Sequence, residues 1–327
     1  MTELVAADIG GTHARFALAR LDAAGRVLAL DEPVVMRCAE HASLQMAWEA
    51  FGSAIARPLP RAAAIAVAGP VVGEELKLTN NPWVIRPALV PEKLGVDAHV
   101  LVNDFEAVAH AVAACPEHAF RHICGPDRPL PARGTISVVG PGTGLGVGLL
   151  VNVDGGGWQV VATEGSHGDF SPTDAIEDAI LLHCRKRFGR VSAERVISGP
   201  GLAEIHAALA ALEGQAIMAM DDKALWSLAM SGADSLAAAA LDRFCAALGG
   251  FAGNIALAHG AAAVVIGGGL GARLADHLPR SGFGSRFAAK GRFEALMRGL
   301  PVKLITHPQP GLLGAAAAFG ASLRKTA

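Results

Sequence analysis

Residues Val5–Ala19 read VAADIGGTHARFALA, an apolar run broken once by glycines. Apolar residues Val5, Ala6, Ala7 and Ile9 give way to Gly10 and Gly11, and the pattern resumes at Phe16, Ala17, Leu18 and Ala19. That is two strands joined by a turn in which Gly10 and Gly11 take φ > 0, a region open to glycine at little cost. Asp8, Thr12 and Arg15 then stand as polar groups at one end of a buried hairpin. Residues 134–152, GTISVVGPGTGLGVGLLVN, repeat the pattern with a still barer turn at Gly140, Gly142, Gly144 and Gly146. Two such hairpins in one chain predict two domains of related build.

Working outward, the chain alternates strands and helices. A third strand is expected at 27–30, a helix at 43–56, a strand in AAAIAVAGPV (62–71) and a short strand before the turn at Asn80–Pro82. AHVLVNDFEAVAHAVAA (98–114) reads as a buried strand with Asn103 or Asp104 at its carboxyl end and a helix behind it, where α/β folds place chemistry. Further helices are expected at 173–188, 201–212, 221–230 and 234–259. Then come strand, Gly267–Gly269 and helix in AAAVVIGGGLGARLADHL, a last strand VKLIT and a helix at 311–324.

A chain of 327 residues with 52% apolar and 18% charged residues is a well-packed globular protein of about two domains. The net charge of -2, with no basic cluster, argues against nucleic-acid binding. Five scattered cysteines, with no C-x-x-C pair, favour reduced thiols in the cytoplasm over a disulfide frame or zinc site. No secretory signal is visible, and the apolar run 256–270 falls short of the ~20 residues of a membrane span.

Bare N–H groups in a tight turn form a nest for anionic oxygens, and three glycine turns in one chain point to a nucleotide. No G-x-x-x-x-G-K-[ST] loop is present, and the second hairpin lacks the helix of a dinucleotide fingerprint. A carboxylate at Asp8 would repel phosphate unless a hard cation lay between them, which suits Mg2+ held through water, with Thr12 and Thr143 donating to phosphate oxygens. The alternative is an aspartate that caps its own turn. Arg15 either reaches a phosphate or forms a surface ion pair.

Asp104 can take a proton from a substrate hydroxyl, or cap the helix that follows it. Glu164, His167 and Asp169 in ATEGSHGDFSP, with Glu194 in SAERVISGPG, suit hydrogen bonding to vicinal sugar hydroxyls. Glu164 and His167 could share a metal only across a helical turn, which the glycines around them discourage. Glu194 also reads as a plain first-turn acid behind Ser192.

The ordered motifs DIGGTHARFAL, LTNNPW, VNDFEAVA, GPGTGLGVG, EGSHGDF, SAERVISGPGL, GGFAGNIAL, VIGGGL, SGFGSRFAAKGRF and PGLLGAAA make the chain closely resemble the bacterial glucokinase family over nearly its whole length. These are hexokinase-like sugar kinases of the actin, hexokinase and heat-shock-chaperone superfamily. The resemblance implies an α/β fold of two ribonuclease H-like (actin-like ATPase) domains with a central cleft. The smaller would span 1–113 plus 308–327, the larger 114–307. It implies a cytoplasmic transferase, ATP:D-glucose 6-phosphotransferase, that makes glucose 6-phosphate for glycolysis and assembles as a homodimer. Asp104 would be the general base on the glucose 6-hydroxyl. Asn80, Asn103, Glu164, His167 and Glu194 would bind the sugar. Asp8, Gly10, Gly11, Thr12, Gly142, Thr143 and Gly144 would hold Mg-ATP phosphates, with Asp8 on Mg2+, and Gly268 and Gly269 would lie near the adenosine. His13 and Ser166 stand where the family commonly has Asn and Gly. Competing readings are a kinase for another hexose or an N-acetylated amino sugar, and a non-catalytic sugar-sensing protein. A base at Asp104 favours catalysis. No zinc motif or DNA-binding segment of a repressor is present.

Overall fold

The computed structural model describes residues 1–78, 81–154, 156–217 and 220–326. It divides into two compact units, 1–116 with 307–327, and 117–306.

The first unit is built on β1 (Thr2–Ile9), β2 (His13–Leu21), β3 (Val27–Leu30), β4 (Val34–Arg37), β5 (Ala62–Val67) and β8 (Ala98–Asn103), with a small β6 (Leu76–Lys77) and β7 (Val84–Ile85) hairpin beside them. The main sheet runs β3-β2-β1-β5-β8, and β4 pairs with β2. The first three strands are antiparallel and the last two parallel to β1. Alternation sends successive β1 side chains to opposite faces. Val5, Ala7 and Ile9 join Phe16, Trp48 and Phe51 on one face, while Leu4 and Ala6 join Leu312, Ala316 and Phe319 of the C-terminal helix on the other. That helix, Pro310–Thr326, crosses Asp104–Ala114 at a glycine. A Cβ on Gly314 would lie 1.6 Å from the Ala107 carbonyl oxygen, so only a bare backbone allows this approach.

The second unit contains β9 (Phe120–Cys124), β10 (Gly134–Pro141), β11 (Leu145–Asn152), β12 (Gln159–Thr163), β13 (Ala263–Ile266) and β14 (Val302–Ile305), in the order β12-β11-β10-β13-β14-β9. Five of these repeat the first sheet: an antiparallel β10–β11–β12 meander, then β13 and β14 parallel to β10. The antiparallel β9 is an addition at the far edge. One core cluster joins this sheet to its helices, among them Ala175–Phe188, Gly201–Leu212 and Ser235–His259. The last is 25 residues long and apolar enough to cross a membrane by length and composition alone. Its most apolar stretch is 67% buried within the protein, and Phe244, Cys245 and Leu248 are wholly enclosed. All five cysteines are free thiols. Burial pushes the Cys115 and Cys184 thiols up to about 11 and those of Cys124 and Cys245 up to about 12.

Three expectations about local structure need correction. Gly10 and Gly11 do not adopt positive φ. Gly10 is needed for closeness: its N–H donates to the His13 carbonyl at 2.9 Å, and a Cβ there would sit 3.3 Å from that oxygen. Asn103, not Asp104, is the helix N-cap. Glycines do not prevent a helical turn after Glu164, because Gly165–His167 forms one turn of 3-10 helix.

Candidate active site

In the first unit, Asp8 sits one residue before the end of β1 and faces Arg15 across the antiparallel register. Arg15 Nη1 lies 3.4 Å from Asp8 Oδ2, so the arginine is an ion-pair partner of Asp8. At that length, with the guanidinium 39% exposed, the pair is worth about 0–1 kcal/mol. It offsets only part of the cost of burying the carboxylate, and burial, opposed by Arg15, raises the Asp8 pKa above the usual carboxylate value. Gly311 completes the enclosure, since a Cβ there would lie 2.7 Å from Asp8 Oδ2. A hard divalent cation suits this donor set: an incompletely compensated carboxylate beside a bare turn. Thr12 is exposed at the tip of the turn. His13 is also exposed and serves the turn through its backbone carbonyl, so the exchange of Asn for His leaves that bond in place.

Asn81, beside the expected sugar ligand Asn80, has a structural task of its own. Its Nδ2 donates to the Gly10 carbonyl at 2.9 Å, and its Oδ1 accepts from Trp83 N at 2.9 Å, which ties the β1–β2 turn to the segment before β7. The doubled asparagine of LTNNPW was the signal. Asn80 lies outside the described residues.

At the end of β8, Asn103 Oδ1 accepts from Phe105 N at 2.8 Å and Glu106 N at 3.2 Å, while Glu106 Oε2 accepts from Asn103 N at 3.4 Å. This is a capping box, worth about 1 kcal/mol to the helix. Asn103 Nδ2 donates to the Gly69 carbonyl at 3.0 Å, so both ends of the amide help to fix the strand end. Asp104 occupies the first helical position, its carboxylate exposed and its Oδ1 accepting from Phe105 N at 2.9 Å.

In the second unit, the β10–β11 turn places Thr143 outermost and exposed. Gly142 N donates to the Gly144 carbonyl at 2.8 Å, and Gly199 N donates to the Gly142 carbonyl at 2.7 Å. A Cβ on Gly268 would meet the Pro141 carbonyl at 2.6 Å, so the Gly268–Arg273 helix begins hard against this turn. Gly268 has φ +76°, while Gly269 has open space around it. Glu194 reaches the same turn: its Oε2 accepts from Leu145 N at 3.0 Å, and a Cβ on Gly144 would come within 2.5 Å of that oxygen.

Glu164 and His167 meet across the 3-10 turn, Oε2 to Nε2 at 3.5 Å, and both are exposed. Ser166 between them is buried. The loop is stitched to the Glu194 segment by Ala193 N donating to the Gly168 carbonyl at 2.8 Å and by a bridge between Asp169 and Ser192. Arg190 clamps it from outside, donating to the His167 carbonyl at 2.6 Å and pairing with Asp169 Oδ1 at 2.8 Å. Nothing in the sequence marks this arginine, since a lone basic residue after Phe188-Gly189 has no motif. Among the described residues, no group of three His, Cys, Asp or Glu side chains could hold a metal.

A profile of the glucokinase family matches residues 5–322. The chain belongs to the glucokinase family. Within the family, a curated glucokinase from Zymomonas mobilis is 62% identical over 317 residues, covering 97% of each chain. The crystal structure of a glucokinase from an Antarctic psychrotroph is 33% identical and superposes with a TM-score of 0.85 over 98% of this chain and 99% of its own. A Streptomyces griseus ROK-family glucokinase, solved with glucose and AMPPNP, shares 18% identity over 97% of this chain and 98% of its own, with a TM-score of 0.59, a likeness of fold. The two units carry the actin-like ATPase fold of these family members.

Proposed function

We propose that the chain transfers the γ-phosphoryl group of ATP to the 6-hydroxyl of D-glucose, giving glucose 6-phosphate and ADP. The observation that carries the assignment is the division of labour at the end of β8. Asn103 and Glu106 cap the helix, and the carboxylate of Asp104 stands exposed at its first position. Asp104 accepts the proton of the 6-hydroxyl as that oxygen bonds to the γ-phosphorus, and the bond from phosphorus to the bridging oxygen of ADP breaks. Asn103 holds the strand end that presents Asp104 and keeps a second amide N–H for the sugar.

Little covalent work falls to the protein, and its task is positioning and charge neutralisation. Gly10 and Gly142 spend their own N–H groups closing the two turns, and the N–H groups of Gly11, Thr12, Thr143 and Gly144 cradle phosphate oxygens, with the Thr12 and Thr143 hydroxyls donating to them. Asp8 would hold Mg2+, which supplies shielding of the phosphate charge. Gly268 and Gly269 lie on the adenosine side. Glu164, His167 and Glu194 recognise the remaining sugar hydroxyls, joined by Asn80. The proposed setting is the cytoplasm, where five unpaired thiols stay reduced, and the proposed assembly is the homodimer that the family resemblance implies.

A coupled assay with Mg-ATP and glucose, mannose, fructose, N-acetylglucosamine or no sugar tests the assignment. Glucose-dependent ADP release with glucose 6-phosphate as product is expected. Turnover confined to another sugar would replace the substrate, and glucose binding without turnover would make the protein a sensor.

A further inference from the structure

We propose that the second unit carries a pocket for a small phosphate-bearing ligand, separate from the residues assigned to glucose and ATP and formed where GGFAGNIAL meets SGFGSRFAAKGRF. The cavity is about 250 Å³, and its polar lining includes Glu177, Asn254, Arg286 and Lys290.

The two motifs, without a role in the reaction above, explain each other here. Gly250 and Gly253 lie one turn apart on the helix Ser235–His259. A Cβ on Gly253 would fall 2.6 Å from Lys290 Cε, and one on Gly250 would fall 3.4 Å from Arg286 Nη2. The helix is bare where two cationic side chains lie across it.

Hydrogen-bond bookkeeping in the cavity leaves donors in excess. Glu177 is almost fully buried and already satisfied: both carboxylate oxygens accept from Arg286 Nη2 at 3.0 Å, and Oε2 also accepts from Thr173 N at 2.8 Å and Thr173 Oγ1 at 2.9 Å. Arg286 Nε, by contrast, is the one buried side-chain nitrogen or oxygen without a partner among the described residues. Lys290 Nζ donates to the Gly250 carbonyl at 2.8 Å, and an ammonium has further N–H groups to give. Burial and then the neighbouring Arg286 pull the Lys290 pKa down against the pull of Glu177, and an anion beside the ammonium would oppose both. Asp169, at the rim, is paired with Arg190 at 2.8 Å. A ligand that only accepts hydrogen bonds and carries negative charge, a phosphate group, answers this surplus.

The walls also give the pocket a lever on the reaction. Phe170 and Ala193 line it, the first just beyond His167 and Asp169, the second adjoining Glu194. An occupant would shift the apparent affinity for glucose, a coupling that rests on the sugar role proposed for those loops.

The test is thermal unfolding of the full chain in saturating Mg-ADP, which fills the nucleotide cradle, titrated with inorganic phosphate or glycerol 3-phosphate against chloride at equal ionic strength. Wild type should be stabilised, with half-saturation raised at least about tenfold in Lys290→Gln, the usual scale for one lost charge-assisted hydrogen bond. Asn254→Leu, whose side chain is exposed and whose packing is undemanding, should weaken binding in the same direction and serves if the lysine variant does not fold. Tighter binding of glycerol 3-phosphate identifies a phosphomonoester, and equal binding identifies the free ion. No phosphate-specific stabilisation, or equal half-saturation in wild type and both variants, would overturn the pocket. That outcome is separable from the kinase assignment, because glucose turnover in the same preparation tests the latter alone.

Discussion

The β1–β2 turn of the first unit and the β10–β11 turn of the second occupy the same place in the same strand order, each spanning three residues between its strands. One step back from the last paired residues, however, the first sheet sets Asp8 opposite Arg15, and the second sets Gly140 opposite Gly146. The short turn is therefore duplicated while the charged pair is placed once. Under the proposed function, one carboxylate can share a cation with the phosphates, whereas a second would add only repulsion. The acid that does reach the second turn comes from elsewhere in the chain: Glu194 accepts the Leu145 N–H and braces the turn from behind.

The comparison breaks most visibly at Asp8. Asp8→Asn should lower kcat/KM for Mg-ATP by about 10²–10³, the scale for losing one electrostatic stabiliser of phosphoryl transfer. The melting temperature should hold or rise, because burial already disfavours the charged form. Coupled kinetics beside calorimetry measure both, and wild-type activity in this variant would mean that the two turns do not differ in function.

Gly142→Ala sharpens the other side. Nothing lies within 4 Å of a Cβ at this position, so folding should be untouched. A phosphate close to the backbone would still be pushed away, raising the KM for ATP about tenfold, as for one lost hydrogen bond to a charged group. An unchanged KM would remove this turn from the nucleotide site.

The smallest effect expected is on stability against pH. Burial lowers the pKa of His99 and His307 in the first unit and of His259 in the second. Because the folded values lie below the unfolded one of about 6.5, the unfolded state binds more protons in acid. Their stabilising contribution is present above that value and is lost as pH falls through the folded pKa values. Scanning calorimetry from pH 7.5 down to 5.5 (settings of roughly one unit either side of 6.5) should show a modest fall in melting temperature, less in His99→Gln than in wild type. A flat profile would contradict the assignment.

The hairpins, the buried parallel strands and the long helices were legible because each follows a single period over many residues. The expected strand at 27–30 and helix at 201–212 coincide with β3 and Gly201–Leu212. β4, β9 and β12 went unread. They are edge strands of four or five residues with mixed exposure, and β12, QVVAT, shows no alternation to detect. At the site, the polar residues in the glycine turns announced themselves through composition. Which of two adjacent residues does a job did not: Asn103 against Asp104 for the cap, and Asn81 as the one that braces Gly10, are decided by side-chain direction. The Arg15–Asp8 pair needed the strand register, and the Arg190 clamp needed the tertiary fold that carries His167 to it.

The role of Asp104 as a base on glucose is decided by the turnover of Asp104→Asn, measured alongside glucose binding by calorimetry. A fall in kcat of at least about 10² is expected, with the fold intact and glucose still bound. A kcat close to wild type would contradict it.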